Sequence, residues 1–398
     1  MVARASATQS VSELCTTAAK AQRQRALAAY LRVMGAQRRA FFRTHKSAEA
    51  RRAFVRRQQA RLGALRRAAA CSLVPAGGRV VATIPIPSSG GVGVGAGSVW
   101  VLDRAAASLV RVDPTTNAIA ERIPGIRGAA PVVGEGALWV PWGVGNRVFR
   151  VDGGTGSVSE LSTGPSSDEY PIAAVVASAA VWVGNHHGGT VARIDPRTSA
   201  VVASVPWSEH ANGGIYHMTT DGSRIWVTAS RTSEVAEIDT ATNAVVRRTS
   251  VPTGACGGIA VDAAAIWVTS GFDRPYTCWN SANWGLSRIN RATGAVTRID
   301  VGGRPFDVRV AFGSVWVIID APQLALVRLD PASYRIIGRL VLAPDRCVPQ
   351  TTGDCPGAEY ATALAVGFDS LWVRRSASTS NTPPGPTPPA LLRIQPTP

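Results

Sequence analysis

The chain has five histidines, and four of them fall close together: His186, His187, His210 and His217. Trp207, Glu209 and Tyr216 stand among them, and Asp168, Glu169 and Tyr170 come just before. Imidazoles and carboxylates that meet at one point can hold a divalent metal or move protons. Imidazole does the latter near neutral pH, because it titrates around 6.5. The spacing carries no diagnostic motif: HExxH, a paired CxxC and GxSxG are all missing from the sequence. The same residues, joined by Trp279 and Trp284 from a later stretch, could instead form a binding surface. Flat rings would then give apolar contact, and the polar groups would give hydrogen bonds.

A repeat must position these residues. Val99-Trp100-Val101 is followed by Leu109-Val110-Arg111-Val112-Asp113-Pro114, and this two-part phrase returns at Trp139, Trp182, Trp226, Trp267, Trp316 and Trp372. The spacings are 39, 43, 44, 41, 49 and 56 residues. Short strands repeating at this period predict an all-β protein, a seven-bladed β-propeller. Each repeat supplies an inner strand, the Trp strand, an Arg-x-Asp strand and an outer strand, lettered a to d.

Outer strands are expected at Ala118–Pro124, Ala200–Pro206, Ala244–Pro252, Ala295–Val301 and Tyr334–Leu342. In the c–d turns, such as Asp113-Pro-Thr-Thr-Asn117, the Asp carboxylate is placed to accept hydrogen bonds from the turn's own amides. The seventh repeat stops at Ile394 with no outer strand, while residues 79–85 form a strand with no Trp phrase before it. Pairing the two closes the ring and removes exposed sheet edges. The repeated Trp residues are expected to fill the wedges between blades. Gly90-Gly91-Val92-Gly93-Val94-Gly95 is expected to be an inner strand where backbones approach closely, since no helix follows it to cradle phosphate.

The d–a and b–c connections of a propeller share one face. The histidines lie on these connections, or at the head of an inner strand, around the third and fourth repeats. Residues 376–389, rich in Ser, Thr and Pro, fit a long b–c loop because Leu391-Leu392-Arg393-Ile394 matches the third-strand phrase.

Charge separates a second region. Residues 1–75 hold 14 Arg and 2 Lys against 2 Glu, a net of +14, and residues 76–398 hold 26 Arg against 24 acids, a net of +2. The high overall charge therefore does not make the body a nucleic-acid binder. Leu27, Leu31, Met34, Phe41 and Phe42 recur at helical spacing, as do Phe54, Val55, Leu62 and Leu65. Thr44–Ser47 breaks the pattern and offers Ser47 as an N-cap. The expected organisation is a basic helical hairpin over 1–76 and the propeller over 77–398. The hairpin could pack on the blades, bind an anionic polymer or membrane surface, or dimerise. The expectation retained is a monomer with no specific nucleic-acid partner.

Six cysteines, an even number in a loop-rich β protein, point to an oxidising compartment. The expected pairs are Cys15–Cys71 at the open end of the hairpin, Cys256–Cys278 across the loop face, and Cys347–Cys355 within one loop. The chain's first ten residues show no apolar signal core, and no run is long enough for a membrane helix. An extracellular or cell-envelope location is expected, with the export signal not visible in this sequence.

The phrase aliphatic-Trp-Val followed by Arg-Ile-Asp-Pro-x-Thr resembles the YVTN/YncE-like propellers and the related streptogramin B lyase-like family, over roughly residues 79–396. For the lyases the resemblance implies a His at the head of an inner strand and a Glu three residues after a blade Trp. The first positions here hold Ser89, Gly128, Pro171, Ile215, Cys256, Pro305 and Ala361. The second hold Asp103, Trp142, Asn185, Ala229, Ser270, Ile319 and Arg375, so the pattern is not kept. Two functions are therefore expected. One is a recognition module binding a small molecule, glycan or protein on the loop face, with no cofactor. The other is a lyase-like enzyme using the His/Glu cluster with a divalent metal. The candidate ligand contacts are His186, His187, Trp207, Glu209, His210, Tyr216, His217, Trp279 and Trp284.

Overall fold

The structure, a computed structural model, describes residues 14–15, 17–69, 72–73, 75–87, 89–207, 214–229, 232–270, 285–319, 324–342, 363–375 and 388–397. Seven four-stranded antiparallel sheets form a seven-bladed propeller. Blade 1 comprises Ser89–Gly95, Ser98–Asp103, Ser108–Asp113 and Ala118–Pro124, and blade 2 comprises Val132–Gly134, Ala137–Trp142, Arg147–Asp152 and Val158–Leu161. Blade 3 is Pro171–Ala177, Ala180–Asn185, Thr190–Asp195 and Ala200–Pro206, and blade 4 is Ile215–Thr220, Arg224–Ala229, Glu234–Asp239 and Ala244–Ser250. Blade 5 is Ile259–Val261, Ala265–Thr269, Leu286–Asn290 and Val296–Ile299, and blade 6 is Pro305–Ala311, Ser314–Ile319, Ala325–Leu329 and Ile336–Val341. Blade 7 joins Ala363–Gly367, Ser370–Arg375 and Ala390–Pro396 to Gly78–Pro85, from the other end of the propeller sequence. This closure pairs Gly78 with Pro396 and Pro85 with Ala390. Successive a strands touch around the whole ring, and that of blade 7 meets that of blade 1.

The b strands are buried along almost their whole length because a neighbouring blade covers each face, whereas the rim d strands are largely exposed. The seven blade Trp rings are all buried. In five blades the indole N–H donates to the carbonyl five residues earlier, as from Trp100 to Gly95 (3.1 Å), Trp182 to Ala177 (3.1 Å) and Trp372 to Gly367 (3.0 Å). Trp267 instead uses the Asp262 carboxylate, at 2.7 Å. A c-strand arginine opposite the Trp lays its guanidinium over the ring in five blades: Arg150 on Trp139, Arg193 on Trp182, Arg288 on Trp267, Arg328 on Trp316 and Arg393 on Trp372, at 5.2–5.9 Å. The repeated Arg thus covers the Trp as well as filling a strand position.

The c–d turns work as their composition dictates. Asp113 accepts from the amide of Thr115 at 2.7 Å, Asp195 from Arg197 at 2.8 Å and Asp330 from Ser333 at 2.6 Å. These backbone bonds hold the three carboxyls below the ordinary carboxylate range, against a smaller opposing effect of burial. The fifth turn residue takes a left-handed conformation, with φ 59° at Asn117 and 53° at Asn243, which Asn tolerates better than most residues.

The glycine-rich strand of blade 1 serves close approach. A side chain at Gly91 would collide with Ala130, one at Gly93 with Pro131, and one at Gly95 with Val133 of blade 2. Ahead of the blades, α1 (Thr17–Thr44) and α2 (Ala48–Ala69) form the expected helical pair. Ser47 Oγ accepts from the Ala50 amide at 3.3 Å, the capping geometry. Tyr30 and Leu62 are buried between the helices, and Gln58 ties them by donating to the Met34 carbonyl at 3.0 Å. Short strands pair Leu14 with Ser72 and Cys15 with Leu73. Among the described residues no helix is long and apolar enough to cross a membrane.

Candidate functional site

Three connections meet on the d–a/b–c face where blades 2, 3 and 4 adjoin. A buried polar knot fixes the first. Thr163 donates its amide to Asn146 Oδ1 at 3.0 Å, and its hydroxyl lies 2.7 Å from both Asn146 Oδ1 and Asn185 Oδ1. Asn146 Nδ2 donates to the carbonyls of Gly164 (2.9 Å) and Ser166 (2.7 Å). The loop between blades 2 and 3 is thereby tied to the b–c loops on either side of it. Backbone bonds then lay residues 169–170 against 186–188: His186 donates to the Tyr170 carbonyl at 2.9 Å, and the amides of His187 and Gly188 donate to Glu169 at 3.1 Å. Gly214, at the entry to blade 4, donates to the His186 carbonyl at 3.1 Å.

This frame collects four rings. Tyr170 stacks on His187 with centroids 4.5 Å apart, His186 lies 5.1 Å from His187, and Tyr216 meets His186 edge-on at 4.8 Å. His187 Nδ1 donates to the Asp168 carboxylate at 2.8 Å, and His186 Nδ1 donates to the Ile215 carbonyl at 2.8 Å. The Ile215 carbonyl can only accept, so the His186 imidazole carries a hydrogen on Nδ1. His186 is buried, while His187 is partly open and Asp168 is exposed. Tyr170 adopts φ 56°, a left-handed value that a bulky residue holds only at a cost. Its ring packs over Gly143, where any side chain would strike it.

Glu169 is the second unusual group. It is only 8% exposed, its Oε2 is enclosed without a hydrogen-bond partner, and no described cation pairs with it. The carboxylate lies between Gly164 and Gly188, and a Cβ at either would run into it. Neither glycine has a left-handed φ, so what they supply is room.

Of the expected contacts, His186, His187 and Tyr216 come together, and Asp168 and Tyr170 complete their cluster. His217 does not join them. It sits one residue on from Tyr216, partly buried, in the field of Asp307 and Arg309 on the a strand of blade 6. Burial pushes the His217 imidazole below its ordinary 6.5, with Asp307 pulling it up and Arg309 pushing it down.

Trp207 needs correcting. It is 1% exposed and packs with Trp182, Val205 and Ile215 in the core between blades 3 and 4, with Arg248 over its ring at 5.2 Å. It cannot offer a flat surface to a ligand. Ile86, Ile126, Val251, Val301 and Leu342 are buried just after other d strands. Trp207 is the blade 3 member of that apolar series, a signal readable in the sequence. Glu209, His210, Trp279 and Trp284 lie outside the described residues.

Among the described residues no group of three or more His, Cys, Asp or Glu is placed to hold a metal ion. Cys256 is buried and disulfide-bonded. Cys71, Cys278, Cys347 and Cys355, and with them a member of every expected pair, fall outside the described residues. A cavity of about 380 Å³ opens elsewhere, at the closure, lined by Arg79, Val81, Asn117, Asp369 and Arg393 among others. Its arginines are already engaged, Arg79 by Gln395 at 3.0 Å and Arg393 by Ser370 (2.9 Å) and Asn117 (3.1 Å). At the blade 2–4 cluster, by contrast, the enclosed Glu169 Oε2 has no hydrogen-bond partner.

No family model matches the chain, and no curated protein matches it. Solved structures do. Virginiamycin B lyase from Staphylococcus aureus superposes with a TM-score of 0.58 at 13% identity, covering 79% of this chain and 98% of that one. Hydrazine synthase from Kuenenia stuttgartiensis gives 0.54 at 13% identity, covering 75% and 97%. BamB from Moraxella catarrhalis gives 0.51 at 16% identity, covering 77% and 82%. At these identities the shared property is the fold: the chain is a seven-bladed β-propeller similar in architecture to virginiamycin B lyase and BamB.

Proposed function

We propose that the chain is an exported recognition module that binds a small molecule, glycan or protein on its d–a/b–c face, at the junction of blades 2, 3 and 4. The observation that carries this reading is the Tyr170, His186, His187 and Tyr216 ring cluster, assembled from two connections and the a strand of blade 4 and holding Tyr170 in a costly backbone conformation. No repeat rule of the blades requires that assembly. An extracellular or envelope location is supported by the even cysteine count and the bonded Cys256. The expected pairs Cys15–Cys71, Cys256–Cys278 and Cys347–Cys355 belong to this proposal. So does a hairpin that folds apart from the blades and meets an anionic polymer or membrane surface. The test is a small-molecule, glycan and peptide screen on the full chain, repeated with Tyr216→Ala and His187→Ala. A hit weakened about tenfold or more by either substitution supports the site. Hits indifferent to both overturn it.

One observation favours an enzymatic second reading. Asp168 orients His187 through Nδ1, the arrangement that leaves the other ring nitrogen to accept a proton. A lyase-like activity using a divalent metal would need Glu209 or His210 to complete the site. Turnover of a screened ligand that depends on added metal and is lost in His187→Ala would establish it. Binding without turnover would leave recognition alone.

A further inference from the structure

The loop-face cluster has the shape of a recognition site, and one buried group beside it indicates the charge of what it recognises. Glu169 is the residue before Tyr170, and its carboxylate lies against Gly188, the residue after His187. It is more than nine-tenths buried, with Oε2 enclosed and unpartnered. A buried carboxylate normally has a cation or several donors, because removal from water is costly for a bare charge. The buried acids elsewhere conform: Asp103 is paired with Arg122 at 3.0 Å, Glu237 with Arg247 at 2.7 Å, and Asp307 with Arg309 at 2.6 Å. Glu169 has room made for it by two glycines and no partner supplied among the described residues. Asp168 adds a second negative group at the same loop.

We infer that Glu169 is the anchor for a positively charged ligand group, a primary ammonium or guanidinium whose N–H donors engage the carboxylate through Oε1. The Tyr170 and His187 rings would flank the apolar stem behind that group. This inference rests on the recognition reading of the ring cluster. It narrows the ligand to amine-bearing molecules, such as an amino sugar, a polyamine or a peptide presenting Lys, Arg or a free N-terminus. A ligand cation stacked on aromatic rings and joined to a carboxylate gains from both.

The probe is n-butylammonium chloride, with n-butanol as its uncharged counterpart, titrated into the full chain at low ionic strength. Binding is followed by NMR shifts and by the melting midpoint. Butylammonium is expected to shift resonances and raise the midpoint where butanol does not. Equal effects from the two, or none from butylammonium, overturn the inference without any variant. Glu169→Gln is then expected to lower butylammonium affinity at least tenfold. It should also raise the melting midpoint of the free protein by about 2 °C, because it replaces a buried acid whose enclosed Oε2 has no hydrogen-bond partner. A fall in the midpoint together with unchanged amine binding would mean that the fold itself uses the carboxylate, and the inference fails. Loss of binding in Glu169→Gln but not in Tyr216→Ala or His187→Ala would uphold the anchor and refute the ring surface, so the two readings fail separately.

Discussion

Blades 3 and 4 are neighbours built from the same phrase, yet one keeps every rule of the repeat and the other breaks three. In blade 3, Trp182 donates to Ala177, Arg193 faces Trp182 across the strands and covers it, and the a strand is Pro-Ile-Ala-Ala-Val-Val-Ala. In blade 4, the Trp226 indole nitrogen is buried with no partner. Glu237 takes the arginine's place opposite it. The a strand carries Tyr216 and His217. The missing cation is borrowed: Arg291, from the c–d turn of blade 5, lies over Trp226 at 4.8 Å and pairs with Asp221. Glu237 meanwhile takes Arg247 and Arg224 as partners, and Arg224 also pairs with Asp239. Blade 4 therefore depends on its neighbour for a contact that blade 3 makes alone. The departures occur in the blade whose a strand faces the ring cluster. Arg291, paired with Asp221 across the interface, supplies the cover that the repeat's own arginine gives elsewhere.

Removing residues 390–398 would abolish the comparison, because blade 7 would lose its c strand and the partner of Gly78–Pro85. The expected result is loss of a single cooperative melting transition for the whole ring, checked by calorimetry. Arg291→Ala should cost more than Arg193→Ala. The first gives up the cover of Trp226, the Asp221 pair and a bond to the Asp262 carbonyl at 2.9 Å. The second gives up a ring contact and one bond to Asn243. A difference of about 1 kcal/mol in denaturant unfolding is expected. Equal costs would mean that blade 4 does not rely on blade 5. The indole pair is finer still. Trp182→Phe loses a hydrogen bond that Trp226→Phe never had, so the first should be the more destabilising by about 1 kcal/mol, with similar ring volume lost in both.

The smallest effect is a pH dependence at blade 4. Burial holds His217 below its unfolded value, so the unfolded chain binds the proton more readily. Stability is then complete above about pH 6.5 and declines as the pH falls below it. His217→Gln should flatten that decline relative to the parent between about pH 6.5 and 5. A parallel decline in both would place the titration elsewhere.

The propeller was legible because its determinants are local and repeated. The Trp phrase marks every b strand, Asp marks every c–d turn but one, where Asn290 stands, and the surplus strand at 79–85 shows how the ring closes. The ring cluster was half legible. His186, His187 and Tyr216 stood out as polar or aromatic departures from the phrase, but the contact of Tyr170 with His187 depends on a turn at φ 56° that composition does not reveal. Glu169 is decided by the lack of a partner, which only three-dimensional placement can show. Trp207 misled because residue type suggested a surface, whereas its position immediately after a d strand put it among the buried plugs.

The strap that closes blade 7 also sets a timetable. A ribosome delivers Gly78–Pro85 before any other blade strand and Ala390–Pro396 last, so the earliest and latest pieces of the ring must wait for each other. Blades 1 to 6 are complete in sequence while the first strand still has an open edge, and chains emerge at roughly 5–20 residues per second. For that interval the growing protein presents a strand with nothing to pair with, which chaperones, or another nascent copy, would be positioned to use.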